Sequence, residues 1–189
     1  MKNWSQLALA AALAMGVSAC AGDDARRNDT NKPDETAAVG TSGTAHAERE
    51  FIEDQLEMGS MEIDLGKLAQ ERGASAQVKE YGATMVRDHQ FAAQELKQFA
   101  AAAGVTDEKK HEDHAEVHED LAKLSGADFD RKYMDRMVDD HQKALDEVKT
   151  KAEKSDDADI KEWATRTMPK IQRHLDRAKE IREALNSAS

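Results

Sequence analysis

One stretch of the chain is written twice at a fixed offset. Tyr81, Met85, Val86, Asp88, His89, Gln90, Ala92, Glu95 and Lys97 recur as Tyr133, Met137, Val138, Asp140, His141, Gln142, Ala144, Glu147 and Lys149, every pair 52 residues apart. A uniform offset marks a duplicated structural unit. Within each copy, Tyr, Met and Ala follow one another at steps of four and seven, the period of a helix. Two like helices must therefore offer like faces to a shared core.

The same periodicity extends over four seams. A first helix carries Phe51, Met58, Leu65 and Ala69 on one stripe, widened by Ile52, Leu56 and Ile63, and closes at Gly73. The second runs over 75–103 with Val78, Tyr81, Met85, Ala92, Leu96 and Phe99 in line and Gly104 as its stop. A charged link follows, with a short helical piece carrying Val117, Leu121 and Leu124 up to Ser125-Gly126. The third long helix begins near Asp128 with Phe129, Tyr133, Met137, Leu145 and Val148; the fourth follows Ser155 with Ile160, Trp163, Ile171, Ala178, Ile181 and Leu185. Tight turns join the first pair and the last pair, while the longer link lets helices two and three run parallel. The expected fold is all-α over 48–189: a ferritin-like four-helix bundle whose crossover connection contains a short fifth helix. A composition of 34% charged and 4% aromatic residues suits long helices and disfavours sheets.

Ahead of the bundle, Lys2 precedes an uncharged Ala/Leu-rich run over 7–17, too short to span a bilayer comfortably and laid out as a secretory signal peptide over 1–19. Val17-Ser18-Ala19-Cys20 resembles a bacterial lipobox, which explains the single cysteine as a lipidated mature N-terminus. The alternatives are an ordinary signal peptide cut after Ala19 and a short membrane helix. Acyl chains on Cys20 would attach the protein to a membrane, each buried methylene contributing about 0.8 kcal/mol. Residues 20–47, polar and without apolar periodicity, are expected to form a disordered tether of on the order of 25–30 Å. The expected location is the periplasmic side of the cell envelope, and Ala21 in place of aspartate favours the outer membrane. A net charge of −11 argues against nucleic acid as a partner; protein partners are not indicated.

Each long seam is interrupted once by a metal-ligand type: Glu62, His89, His141 and His174. A buried, unpaired carboxylate is costly, so Glu62 needs a partner. Three imidazoles and a carboxylate converging in a core satisfy one another around a transition ion such as iron, zinc or copper. The heights agree only roughly: Glu62, eleven residues before Gly73, counts about a turn away from His89 at ~1.5 Å of rise per residue. The other reading is a polar core network that fixes helix register without metal. Met85 and Met137, each four residues before its histidine, suit copper or serve as core filler. Pro169 is expected to kink the last helix beside His174. His111, His114 and His118 share a face of the connecting helix, either as a secondary metal or pH-sensing patch or as a solvated connector. No glycine-rich phosphate loop, CxxC pair or serine–histidine–aspartate pattern occurs to support another enzyme class, and an oxidoreductase using an open metal position is a third reading without a substrate pocket or nucleophile to favour it, so the balance leans to a non-catalytic role.

Several blocks, in order, resemble the bacterial domain-of-unknown-function 4142 family. They are Met61 to Ala69, Met85-Val86-Arg87-Asp88-His89, Ser125 to Met134, and Met168-Pro169-Lys170-Ile171-Gln172-Arg173-His174-Leu175. The resemblance covers about 51–185 and implies a ferritin-like bundle in an exported envelope protein with no established activity. Di-iron ferritins use Glu-x-x-His pairs, but Val86, Val138 and Ile171 stand three residues before the histidines here, which argues against a carboxylate-rich di-iron oxidase. Asp88 and Asp140, next to their histidines, point about 100° away on a helix and suit supporting or surface roles. The functional expectation is an envelope lipoprotein that binds a metal ion for buffering or stress protection; the alternative is a structural or interaction lipoprotein.

Overall fold

The computed structural model describes residues 35–105 and 112–187. The expected signal peptide, Cys20, the first part of the expected tether and His111 lie outside them. Among the described residues there are five helices: α1 (Glu35–Arg72), α2 (Ala76–Ala103), α3 (Glu112–Ala122), α4 (Gly126–Lys154) and α5 (Ala158–Ser187). None is long and apolar enough to cross a membrane.

The first helix corrects the expected boundary. Residues 35–47, expected as tether, are helical and continuous with the core-facing part of α1. They lack an apolar stripe, but alanines 37, 38, 45 and 47 favour helix. Extending an existing helix also avoids the cost of nucleating one. The other bounds follow local signals. Ser75 caps α2 through Gln77 N, and Gly104 ends it in the left-handed conformation at φ 72°. Helix α5 runs through Pro169 without a break.

Contacts at the two ends of α4 fix the directions. At its start Asp130, 1% exposed, accepts hydrogen bonds from Ala74 N (3.0 Å) and Ser75 N (2.8 Å), in the turn between α1 and α2. At its end Ser155 Oγ and Lys151 Nζ donate to Glu48 at 2.7 and 3.0 Å, near the other end of α1. Helix α4 therefore runs antiparallel to α1 and in the same sense as α2, with α3 on the connection between them. Helix α5 folds back on α4 and meets α2, where Tyr81 donates to the His174 carbonyl at 3.2 Å and Arg166 pairs with Glu95.

Helices α1 and α2 touch backbone to backbone at Gly66 and Gly82. A Cβ on either glycine would lie 2.6 Å from the other's carbonyl oxygen. Two apolar clusters fill the interior. One gathers Leu65, Tyr81, Met85, Phe129, Tyr133, Met137 and Leu175. The other gathers Phe51, Leu56, Leu96, Val148, Ile160, Trp163 and Ile171. Glu62, His89, His141 and His174 belong to neither cluster and come from helices that supply both. On α1 the buried set includes Met61 and Leu68, while Ile63 is only half-buried at the edge of the stripe. The duplicated residues meet: Tyr81 and Tyr133 pack edge to face at 6.2 Å, and Met85 and Met137 are fully buried in one cluster.

Candidate metal centre

Three of the four seam interruptions converge. His89 from α2, His141 from α4 and His174 from α5 each offer a ring nitrogen, and these nitrogens lie within 4.8 Å of one another. The ring centroids form a triangle of 5.4, 5.8 and 6.0 Å. Three nitrogens evenly spaced at that limit would have a common point about 2.8 Å from each, against ~2.0–2.1 Å for a zinc–imidazole bond. Side-chain rotations toward the common point would have to close that difference. Glu62 stands beside the triad rather than within it: Oε2 touches His89 Nε2, and Oε1 lies 3.4 Å from His141 Nδ1.

The orientations of two of the rings are set from behind. His141 Nδ1 lies 2.9 Å from the Met137 carbonyl oxygen. A carbonyl only accepts, so Nδ1 carries the proton and Nε2 presents its lone pair. His174 Nε2 lies 3.0 Å from Asp88 Oδ2, and Asp88 also accepts from Arg87 Nε at 2.8 Å. A carboxylate or carbonyl behind a histidine is the usual support of a metal-bound imidazole. Asp88, for which a supporting or a surface role was expected, thus stands behind His174. Its duplicate Asp140 instead accepts from Arg136 Nε at 2.6 Å.

What remains on the seam residues is a set of four buried heteroatoms: Glu62 Oε2 and His89 Nε2, which meet each other as an ion pair, and His141 Nε2 and His174 Nδ1, which have no hydrogen-bond partner among the described residues. Orphaned buried polar atoms are rare in folded proteins and cost about 1–3 kcal/mol each. Two such imidazole nitrogens beside the Glu62–His89 pair, all of metal-binding type, fit a transition ion.

The electrostatics are those of a compact buried ion pair. Burial would raise the Glu62 carboxyl, but the charges of His141, His89 and His174 more than offset it and hold it at about 2, below its usual 4.5. Burial opposes the charge on His89, yet contact with Glu62 raises that ring above 6.5. Burial lowers His174 to about 4 despite its bond to Asp88, helped by the two neighbouring rings. Burial and then the Glu62 charge push the Tyr133 hydroxyl well above its ordinary 10. A His174 that resists protonation keeps its lone pair available to an ion at neutral pH.

The histidines of α3 do not form a comparable cluster among the described residues. His114 faces Glu57 on α1 at 3.5 Å, His118 is exposed, and His111 lies outside the described residues. Met85 and Met137 sit in the tyrosine-side apolar cluster. Sequence reasoning did not single out Asp130, Glu57 or the Ser155–Glu48 pair. Asp130 stands in the Ser125–Met134 block quoted above, which was its only signal.

No curated protein and no solved structure matches the chain. Residues 33–181 match the family described as Domain of unknown function (DUF4142). That match spans all three histidines, Glu62 and both members of the internal repeat, and the chain belongs to the DUF4142 family.

Proposed function

We propose that this protein is a metal-binding helical bundle of the bacterial envelope, holding one first-row transition ion on His89, His141 and His174, with Glu62 as charge partner and fourth donor. The observation that carries this is the convergence of ring nitrogens of His89, His141 and His174, from α2, α4 and α5, within 4.8 Å of one another, with Glu62 of α1 beside them and buried nitrogens of His141 and His174 left without a partner. Imidazole nitrogen with one carboxylate suits zinc, iron or copper(II). The single carboxylate argues for one ion rather than a di-iron pair. A crossover between α2 and α4, which run in the same sense, supports a ferritin-like arrangement. Nothing in the centre demands turnover; buffering or protection against metal stress needs only reversible binding.

The full chain, purified without an affinity tag and equilibrated in turn with zinc, iron(II) and copper(II), is expected to retain about one equivalent of ion. It is also expected to melt higher when loaded, because a ligand that binds only the folded state stabilises it. The His89→Ala/His141→Ala protein should retain none. Equal substoichiometric metal in both proteins overturns the proposal.

A second reading is favoured by the direct Glu62–His89 contact, which neutralises the pair without an ion and would fix helix register. It requires that chelation leave the melting temperature of the wild type unchanged.

The proposed location rests on the order of Lys2, the apolar run and Val17-Ser18-Ala19-Cys20. Lipidation of Cys20 would hold the bundle at the periplasmic face of the membrane, with the outer membrane favoured by Ala21. Cys20→Ala is expected to move the protein from the membrane fraction to the soluble one and to abolish labelling by palmitate.

A further inference from the structure

On the Trp163 side of the histidines the packing leaves a cavity of about 40 Å³. Glu62, His89 and His141 line it, together with Ala92, Ala144 and Trp163. Most of its wall is carbon. The exception of interest is the indole of Trp163, which is 2% exposed and whose Nε1–H has no hydrogen-bond partner among the described residues. Phe51 holds that indole edge to face, with ring centroids 5.9 Å apart.

We infer that this cavity is a binding site for a small anion of two or three non-hydrogen atoms, bound end-on to the metal at His89 and His141 and accepting a hydrogen bond from Trp163. The inference rests on the metal centre proposed above. Size sets the upper limit, because one water needs about 10–15 Å³ by the same measure of volume. The space beside the histidines therefore has room for about three water-sized positions. Charge sets the sign. A divalent ion, three neutral imidazoles and one carboxylate leave one positive charge in a buried place, and a buried charge is costly until it is paired. Coordination sets the attachment, since a four-coordinate ion can expand to five. The duplicated helices set the shape: Ala92 and Ala144 are counterparts at the 52-residue offset, and both put a methyl group where a larger side chain would fill the space. A buried indole N–H without a partner, in a wall that is mostly apolar but also holds Gln55 and Thr167, favours ligands whose free end accepts a hydrogen bond. Azide, nitrite and the anions of reduced dioxygen belong to this class.

The test uses the full chain loaded with copper(II) and titrated with azide, whose charge-transfer absorption reports direct binding to the ion. Wild type should develop the band and saturate. Trp163→Phe should keep its copper and bind azide about ten-fold more weakly, as expected for loss of one hydrogen bond to an anion. Ala144→Leu should keep its copper and lose the band, and melting curves of the loaded variants check that each is folded. A copper-loaded wild type without the band, or with azide affinity equal to that of Trp163→Phe, overturns the anion site and leaves the metal centre standing. A wild type that takes up no copper, zinc or iron overturns the metal centre and the anion site together.

Discussion

Replacing Glu62 by glutamine keeps the shape of the side chain and removes its charge. In the metal-free protein the carboxyl is held at about 2 against its usual 4.5, because three imidazoles outweigh the penalty of burial. That displacement corresponds to on the order of 3 kcal/mol in favour of the ionised form, at ~1.36 kcal/mol per pH unit. The raised value of His89 has the same origin, so the two shifts describe one interaction and count once. A depressed carboxyl stabilises the fold above 4.5, and this contribution is lost as pH falls toward 2. A raised imidazole stabilises the fold below 6.5, and this is lost as pH climbs through its folded value. Both conditions hold together between 4.5 and 6.5. Urea denaturation with chelator at about pH 5.5 should therefore show Glu62→Gln less stable by on the order of 3 kcal/mol, the size expected for breaking a buried ion pair. As pH rises beyond the folded value of His89 the ring is neutral in both proteins and the difference should shrink. A loss that stays constant from about pH 5.5 to about pH 10 refutes the ion pair, since it would reflect packing or hydrogen bonding alone. No loss at either pH refutes the buried charge.

Three further outcomes are expected. Gly66→Ala drives a methyl group against the Gly82 carbonyl and should cost about 1–3 kcal/mol by thermal or urea melt, while Gly104→Ala, with open space around its Cβ, should cost only the strain of its positive φ. Asp130→Ala leaves Ala74 N and Ser75 N without their acceptor and should cost about 2–4 kcal/mol, with metal stoichiometry unchanged in the folded fraction. His174 is depressed from 6.5 to about 4, so the metal-free fold is stabilised by its neutral ring above 6.5 and loses that contribution as pH falls toward 4. The stability of wild type relative to His174→Gln should accordingly drop by on the order of 3 kcal/mol between about pH 7 and about pH 4, at ~1.36 kcal/mol per unit; a flat difference counts against a buried, proton-poor His174.

The seams were legible because burial imposes a period, and one polar interruption per seam shows against an apolar background. Val78, Tyr81, Met85, Phe129, Tyr133, Met137, Trp163 and Ile181 are all buried, as their spacing required. Where the signal is not periodic, the sequence is silent. The start of α1 at Glu35 rests on helix continuation through a polar segment, which carries no seam to count. Asp130 caps a turn more than fifty residues away in sequence, and nothing local to it distinguishes a cap for another helix from a surface acid. Asp88 was readable as pointing away from the centre of its own helix's seam, but its partner, His174, lies on α5 and emerges only when α2 and α5 pack. The cavity beneath the histidines is the hardest of these to foresee. It depends on alanines at two counterpart positions and on an indole held away from any acceptor, and each of these residues alone is ordinary core.

Residue counting from the α1–α2 turn leaves Glu62 about a turn short of His89, yet their side chains touch. The discrepancy comes from treating side chains as if they projected at the height of their own Cα. In a helix every Cα–Cβ bond tilts toward the N-terminus. The N-terminus of α1 lies away from the turn, so Glu62 leans away from it; the N-terminus of α2 is at the turn, so His89 leans back toward it. The two displacements add, and the length of a glutamate covers the rest. Gly59 supports the same geometry, because a Cβ there would lie 3.7 Å from His89 Nδ1, which puts the imidazole level with the stretch between Gly59 and Glu62. The close backbone crossing at Gly66 and Gly82, one turn nearer the hairpin on α1 and two turns nearer on α2, brings the two helices near enough for that reach to suffice. An aspartate at 62, shorter by one methylene, should lose contact with His89 while remaining buried. Glu62→Asp is therefore expected to behave in metal-free denaturation more like Glu62→Gln than like wild type, and a fully wild-type stability for it would show that reach plays no part in the pairing.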